Sequence, residues 1–261
     1  MKVLRCWMVA TCLLGFGLAG GCATDTAIKP TAPAPVVAPV PATKTQTPLD
    51  AGKLTVSGKH SHVYDVDEGG VLAVSQDALP DCHCAGRTWW VRSVRGGGGG
   101  GPPEHEVRMT IDASGYIAVA EEIDRKEKVE VVYTPARVVI PDKLPVQASG
   151  GAAYEQEVRM VVHPLGDRSK VRASGTAHNQ IRYVGDEEIT TAAGTFTARR
   201  LSSTLTAHLG TATSVDSTEQ WWVDGIGLVF EQSREVTHAL GLKVRDNSAT
   251  MGLRSFEGVA K

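Results

Sequence analysis

The stretch Thr218-Glu-Gln-Trp-Trp-Val-Asp-Gly-Ile-Gly-Leu-Val-Phe230 decides the fold class, because two apolar runs flank an Asp-Gly pair. Asp224-Gly225 predicts a tight hairpin turn, since both central residues of a type I′ turn need a positive φ. Similar turn signals recur at 112–115, 164–167 and 193–194. A chain divided in this way favours antiparallel strands joined by short turns.

The segments between these turns alternate between apolar and other residues. Val107, Met109 and Ile111 alternate with Arg108 and Thr110, and the stretches 129–133 and 158–162 show the same period of two. Such alternation is typical of a strand with one buried face. The sequence therefore predicts an all-β domain, an antiparallel meander sheet curved into a half-barrel or an open sandwich. The best helix candidates are two short segments, 74–79 and 120–128.

Two stretches of the C-terminal half resemble a known family. They are residues 183–199, which include Glu188-Ile-Thr and Ala193-Gly-Thr-Phe196, and residues 218–230. They are similar to the TapB-like β domains, a bacterial envelope family of unknown function, and the resemblance is most specific over 183–230. It implies a curved antiparallel sheet and a secreted location, and it implies no catalytic residues.

The N-terminus has the pattern of a bacterial lipoprotein signal. Lys2 and Arg5 precede an apolar run that is too short for a transmembrane helix, and Leu-Ala-Gly-Gly leads into Cys22. We interpret residues 1–21 as a signal peptide and Cys22 as the lipidated, palmitate-bearing residue; an ordinary cleaved secretory peptide is the alternative. Ala23, rather than Asp, follows the cysteine, which favours the periplasmic face of the outer membrane. The expected membrane contact is the N-terminal lipid.

Composition then divides the remaining chain. Residues 22–50 are rich in Pro, Ala and Thr, which predicts a disordered linker, and residues 51–261 form the β domain. Six glycines from Gly96 to Gly101, followed by two prolines, predict a flexible loop at 96–103. The net charge of −2 becomes −4 once Lys2 and Arg5 are removed, which argues against nucleic acid as a partner.

Cys82-His83-Cys84 is a dense cluster of soft metal ligands. A strained disulfide, an unligated pair of thiols, or a copper or zinc site are all compatible with it. A zinc site would need further ligands such as His60, His62 or His105. Since no second cysteine pair with finger-like spacing exists, we favour the first two interpretations and expect no cofactor.

Two tryptophan doublets raise the possibility of a ligand groove. In a strand, one Trp of each doublet faces the core and the other faces outward. A curved sheet with an apolar concave face would suit an acyl chain or another apolar small molecule, whereas a filled core is the alternative. The groove candidates are Trp89, Trp90, Met109, Val158, Met160, Trp221 and Trp222.

No arrangement in the sequence identifies catalytic residues. The pairs Glu121-Glu122 and Glu187-Glu188 are interpreted as surface charge, since adjacent residues on a strand point to opposite faces. The sequence therefore favours a non-enzymatic binding or envelope-assembly module, with an envelope protein or an apolar small molecule as partner. Thiol or metal binding at 82–84 is the alternative.

Overall fold

Antiparallel strands make up almost all of the described chain. The computed structural model describes residues 48–54, 59–78, 88–96, 102–111, 114–146 and 154–258. These ranges contain one short helix, α1 (Ala51–Leu54), a 3-10 turn (Asp67–Gly69) and twelve strands. The strands are β1 (His60–Val66), β2 (Gly70–Ala78), β3 (Thr88–Gly96), β4 (His105–Ile111), β5 (Ile117–Asp124), β6 (Val129–Ile140), β7 (Tyr154–Pro164), β8 (Ala173–Thr191), β9 (Gly194–Leu209), β10 (Ala212–Val223), β11 (Gly227–Ala239) and β12 (Leu242–Gly258).

The sheet is a closed meander. Each strand pairs with the next one along the chain, and β1 also pairs with β12, from His60 opposite Gly258 to Val66 opposite Met251. The predicted all-β antiparallel meander is confirmed. Its curvature continues until the first and last strands meet, so the sheet forms a barrel.

The two ends of the barrel differ. At the upper end lie the turns that follow β5, β7, β9 and β11; at the lower end lie those that follow β8 and β10, together with α1. The predicted turns at 164–167, 193–194 and 224–225 are confirmed. The type I′ geometry expected at 224–225 is wrong, because Gly225 has a φ of 75° but Asp224 is not among the described residues with a positive φ. The two helix predictions are wrong, because 74–79 belongs mainly to β2, and 120–128 forms the end of β5 and its turn.

Residues 48–54 close the lower end. Leu49, Ala51 and Leu54 are at most 1% exposed. The Leu49 amide donates to the Leu144 carbonyl at 3.0 Å, and the Gly225 amide donates to the Lys53 carbonyl at 2.9 Å. Buried contacts of the domain therefore begin two residues before the predicted boundary at residue 51.

The two histidines of β1 are buried near this plug. The His60 and His62 rings meet edge to face with centroids 4.9 Å apart, and His62 Nε2 lies 2.8 Å from the Ile226 carbonyl oxygen. Their position near the start of the domain predicts solvated surface histidines, but they are only 8% and 5% exposed, so this prediction is wrong. The turn after β10 therefore contacts this part of β1.

The predicted signal peptide and Cys22 lie outside the described residues, as do most of the linker and glycine loop. No helical segment within the described ranges has the length and apolar character of a membrane-crossing helix.

Strands β8 and β9 approach each other closely at Gly175. A Cβ at this position would lie 1.8 Å from the His208 carbonyl oxygen. We expect Gly175→Ala to lower the free energy of unfolding by about 1–3 kcal/mol or more, because the backbone itself would have to move. Urea denaturation followed by circular dichroism measures this.

Gly252→Ala is the matched control, since its Cβ would meet the Phe230 ring at an ordinary 3.5 Å. Its free energy of unfolding should stay within about 0.5 kcal/mol of the parent protein. Equal effects of the two substitutions would show that β8 and β9 are not this close.

Candidate binding cavity inside the barrel

The barrel interior contains a small cavity with a mixed wall. Its volume is about 90 Å³, and side chains from β4–β6 and β8–β11 line it. Strands β5 and β6 are not neighbours of β10 and β11 in the sheet, so the barrel brings opposite walls together here. The polar lining residues are Glu122, Arg137, Asn179, Ser203, Asp216, Thr218, Gln220 and Glu231.

One wall is built around an ion pair between β5 and β6. Arg137 Nη2 donates to Glu122 Oε1 at 2.7 Å, and the guanidinium carbon lies 5.3 Å from the centroid of the Tyr133 ring. Burial, followed by the negative charge of Glu122, raises the pKa of Tyr133, so the phenol stays protonated. The second carboxylate oxygen, Glu122 Oε2, has no hydrogen-bond partner in the described protein.

His105 lies beside this ion pair. Its Nε2 is 4.0 Å from Glu122 Oε2, and neither ring nitrogen has a hydrogen-bond partner in the described protein. Because only 1% of the residue is exposed, desolvation lowers the pKa of His105 despite the carboxylates nearby. The imidazole is therefore neutral at pH 7, and the contact with Glu122 is not a salt bridge.

The opposite wall is acidic. Asp216 on β10 is directly across the ladder from Glu235 on β11. Desolvation, reinforced by the charge of Glu235, raises the pKa of Asp216 to about 7. Ser214 and Thr237 donate to Glu235 Oε1 through their hydroxyl groups, at 3.1 Å and 3.3 Å. The donors of these two hydrogen bonds are neutral hydroxyl groups.

A bulge in β5 decides which glutamate enters the cavity. The pairing of β5 shifts between Val119 and Glu121. Regular alternation from Val119 would put Glu121 inside; instead Glu121 lies outside and pairs with Arg108 and Arg168, while Glu122 is 2% exposed. The interpretation of both residues as surface charge is therefore wrong for Glu122. Regular alternation gives no signal for such a bulge, so the sequence alone missed this residue.

The predicted groove residues are separated by the fold. Met109 and Trp222 line the cavity, whereas Val158 and Met160 are packed into the core at 2% and 0% exposure. Trp221 lies on the other face of β10, where its Nε1 donates to Glu187 at 3.1 Å. Both Trp221 and Trp222 are at most 3% exposed. The two therefore face different surroundings, as the alternation of β10 predicts.

Several predicted site residues, or their side chains, are not among those that the structure describes. Trp89 and Trp90 belong to β3, but their side chains are not described. Cys82, His83 and Cys84 fall in the undescribed segment 79–87, so the disulfide and metal interpretations stay predictions. Of the proposed additional zinc ligands, His60 and His62 lie at the lower end and His105 in the interior. Within the described ranges no three His, Cys, Asp or Glu side chains are arranged to hold a metal ion.

Comparisons with known proteins give structural likenesses only. No protein-family model matches the chain, and no curated protein matches it. A candidate lipoprotein from Parabacteroides distasonis superimposes with a TM-score of 0.47 at 13% identity, and a candidate exported protein with a YmcC-like fold from Bacteroides fragilis with 0.43 at 11%. Each alignment covers 82% of this chain and 100% of the other. At these scores the likenesses do not bear on function, and membership of the TapB-like family stays a prediction.

Asp216 should make the protein less stable as the pH rises. Its pKa is about 7 in the folded chain and 3.8 in the absence of the fold, so the unfolded chain loses this proton first. Folding stability then falls between about pH 4 and pH 7. We expect Asp216→Asn to remove up to about 2.5 kcal/mol of the loss between pH 5 and pH 8, measured by urea denaturation at these two pH values.

Asp246→Asn is the control for this experiment. Arg234 and then Lys243 hold the pKa of Asp246 below its usual range, so its titration lies outside the interval from pH 5 to pH 8. A pH dependence that is the same in Asp216→Asn and in the parent protein would contradict the raised pKa.

Proposed function

We propose that this chain is a lipid-anchored binding protein of the bacterial envelope that takes up a small polar molecule inside its barrel. The main support for a binding role is the cavity of about 90 Å³, which has charged and hydrogen-bonding side chains on both walls. Binding is favoured over catalysis because the sequence carries no recognised catalytic motif.

The location rests on the N-terminal sequence. Lys2 and Arg5, the short apolar run and the small residues before Cys22 support cleavage and lipidation at that cysteine. With Ala23 next, we propose that the protein is held on the periplasmic face of the outer membrane. The membrane is then a partner through the lipid, and a protein of the envelope is a further candidate partner. The net negative charge does not suit nucleic acid.

The size and polarity of the cavity select the class of ligand. Pockets for drug-sized ligands measure roughly 300–1,000 Å³ and are mostly apolar. This cavity is smaller, and Glu122, Arg137, Asp216 and Glu231 contribute charge to it. An acyl chain would have to displace water from these groups without replacing their hydrogen bonds, which is unfavourable. The cavity therefore suits a polar molecule of a few heavy atoms better than the acyl chain that the sequence suggested.

Lipidation is tested by metabolic labelling with radioactive palmitate. The full chain should take up label and sediment with the membranes, whereas Cys22→Ser should take up none. Cys12→Ser is the matched control, because Cys12 lies within the predicted signal peptide and should leave labelling unchanged. Labelling that persists in Cys22→Ser would contradict the proposed anchor.

Binding is tested with three probes of similar size and different charge: ethylammonium, ethanol and acetate. At least one should raise the melting temperature of the detergent-solubilised full chain in a saturable way, because a ligand bound only to the folded state stabilises it. Ser203→Leu fills part of the cavity and should abolish this shift. Ser202→Leu places the same side chain on the other face of β9 and should preserve it.

Circular dichroism establishes first that both serine variants are folded. If none of the three probes shifts the melting temperature, or if Ser203→Leu responds as the parent protein does, the proposed binding function is wrong.

A further inference from the structure

We propose that the cavity binds a small organic cation, a primary ammonium or guanidinium compound, between Glu122 on β5 and Asp216 on β10. This inference rests on the proposed binding function and specifies the chemistry of its ligand. Three observations support it: a buried acceptor atom that lacks a protein partner, an excess of carboxylates in the wall, and the small volume.

The first observation concerns hydrogen bonding. Glu122 lines the cavity at 2% exposure, and its Oε2 has no partner in the described protein although Oε1 is held by Arg137. The other unpartnered buried atom of the lining is Arg137 Nε, which belongs to the guanidinium already paired with Glu122. Buried polar atoms are nearly always hydrogen-bonded, so Glu122 Oε2 is suited to accept a hydrogen bond from a molecule bound in the cavity. An ammonium group supplies three donors and no acceptor.

The second observation concerns charge. Among the described lining residues, Glu122, Asp216 and Glu231 carry carboxylates, and Arg137 carries the guanidinium. Behind this wall, Glu235 has the cation of Arg245 at 3.9 Å. Arg137 is already engaged by Glu122, so Asp216 faces further carboxylates without a cation of its own in hydrogen-bond contact. A bound cation would compensate this excess of negative charge.

The third observation concerns size. About 90 Å³ accommodates several water molecules or a molecule of a few heavy atoms. It does not accommodate a nucleotide, a sugar chain or an acyl chain. A metal ion is disfavoured, because the described acids do not converge as a coordination group.

Binding of a cation should also release protons. The charged or titratable groups around Asp216 are Glu235 on β11, Arg137 on β6 and Glu122 on β5. A cation stabilises the ionised form of Asp216, so the carboxyl loses its proton when the cation binds near pH 7. Affinity should therefore be several-fold higher at pH 8 than at pH 6.

Isothermal titration calorimetry with ethylammonium chloride tests the proposal on the detergent-solubilised full chain, with ethanol and sodium acetate titrated in parallel. We expect saturable binding of ethylammonium alone. Near pH 7 the binding heat should differ between phosphate and MOPS buffers in the sense of proton release. Glu122→Gln keeps an oxygen for Arg137 and removes one carboxylate, and it should weaken binding at least tenfold. Asp216→Asn should weaken binding similarly and abolish most of the proton release.

Glu121→Gln is the matched control, because Glu121 is the adjacent residue on the outer face. It should bind ethylammonium as the parent protein does. Since the Gln and Asn variants alter different walls, they test the site independently, and circular dichroism reports whether each is folded.

The outcomes separate this inference from the binding function. If acetate or ethanol binds in place of ethylammonium, the cation proposal is overturned and the binding function stands. If no probe binds, both are overturned. If ethylammonium binds equally to the parent protein, Glu122→Gln and Asp216→Asn, the site assigned here is wrong.

Discussion

The backbone ladder between β1 and β12 is the contact on which the rest of the structure depends. It joins the two ends of a meander that runs from His60 to Gly258, and it turns a curved sheet into a closed wall. Closure restricts the access of bulk water to the inward-facing side chains. Every charge on that face is then partly desolvated, and its protonation depends on its neighbours.

This desolvation explains why the interior behaves differently from an ordinary core. The pKa of Asp216 rises to about 7, and that of buried His105 falls. Both residues therefore carry less charge at neutral pH than they would in water. In contrast, Glu122 and Arg137 stay together as an ion pair 2.7 Å apart. Burial of an ion pair costs desolvation free energy, which the hydrogen bond between these two side chains offsets in part.

The plug at the lower end makes the barrel asymmetric. Leu49, Ala51 and Leu54 fill that end, and the predicted linker enters the domain there. If the lipid anchor is at Cys22, the plugged end is the one tied to the membrane by the linker. The turns that follow β5, β7, β9 and β11 then lie at the opposite end of the barrel, away from the point of attachment.

The sequence by itself determined the strand class and many of the turns. Alternation at 107–111 and the Asp224-Gly225 pair are local features of the sequence. They indicate a half-buried strand and a glycine with a positive φ, and both properties depend on neighbouring residues only. Only the tertiary structure decided that β1 meets β12, that a bulge turns Glu122 inward, and that Asp216 approaches Arg137 from a distant strand. These depend on accumulated curvature, on register and on the exclusion of water by the whole barrel. No short segment of the sequence predicts these three features, because each depends on strands that are far apart along the chain.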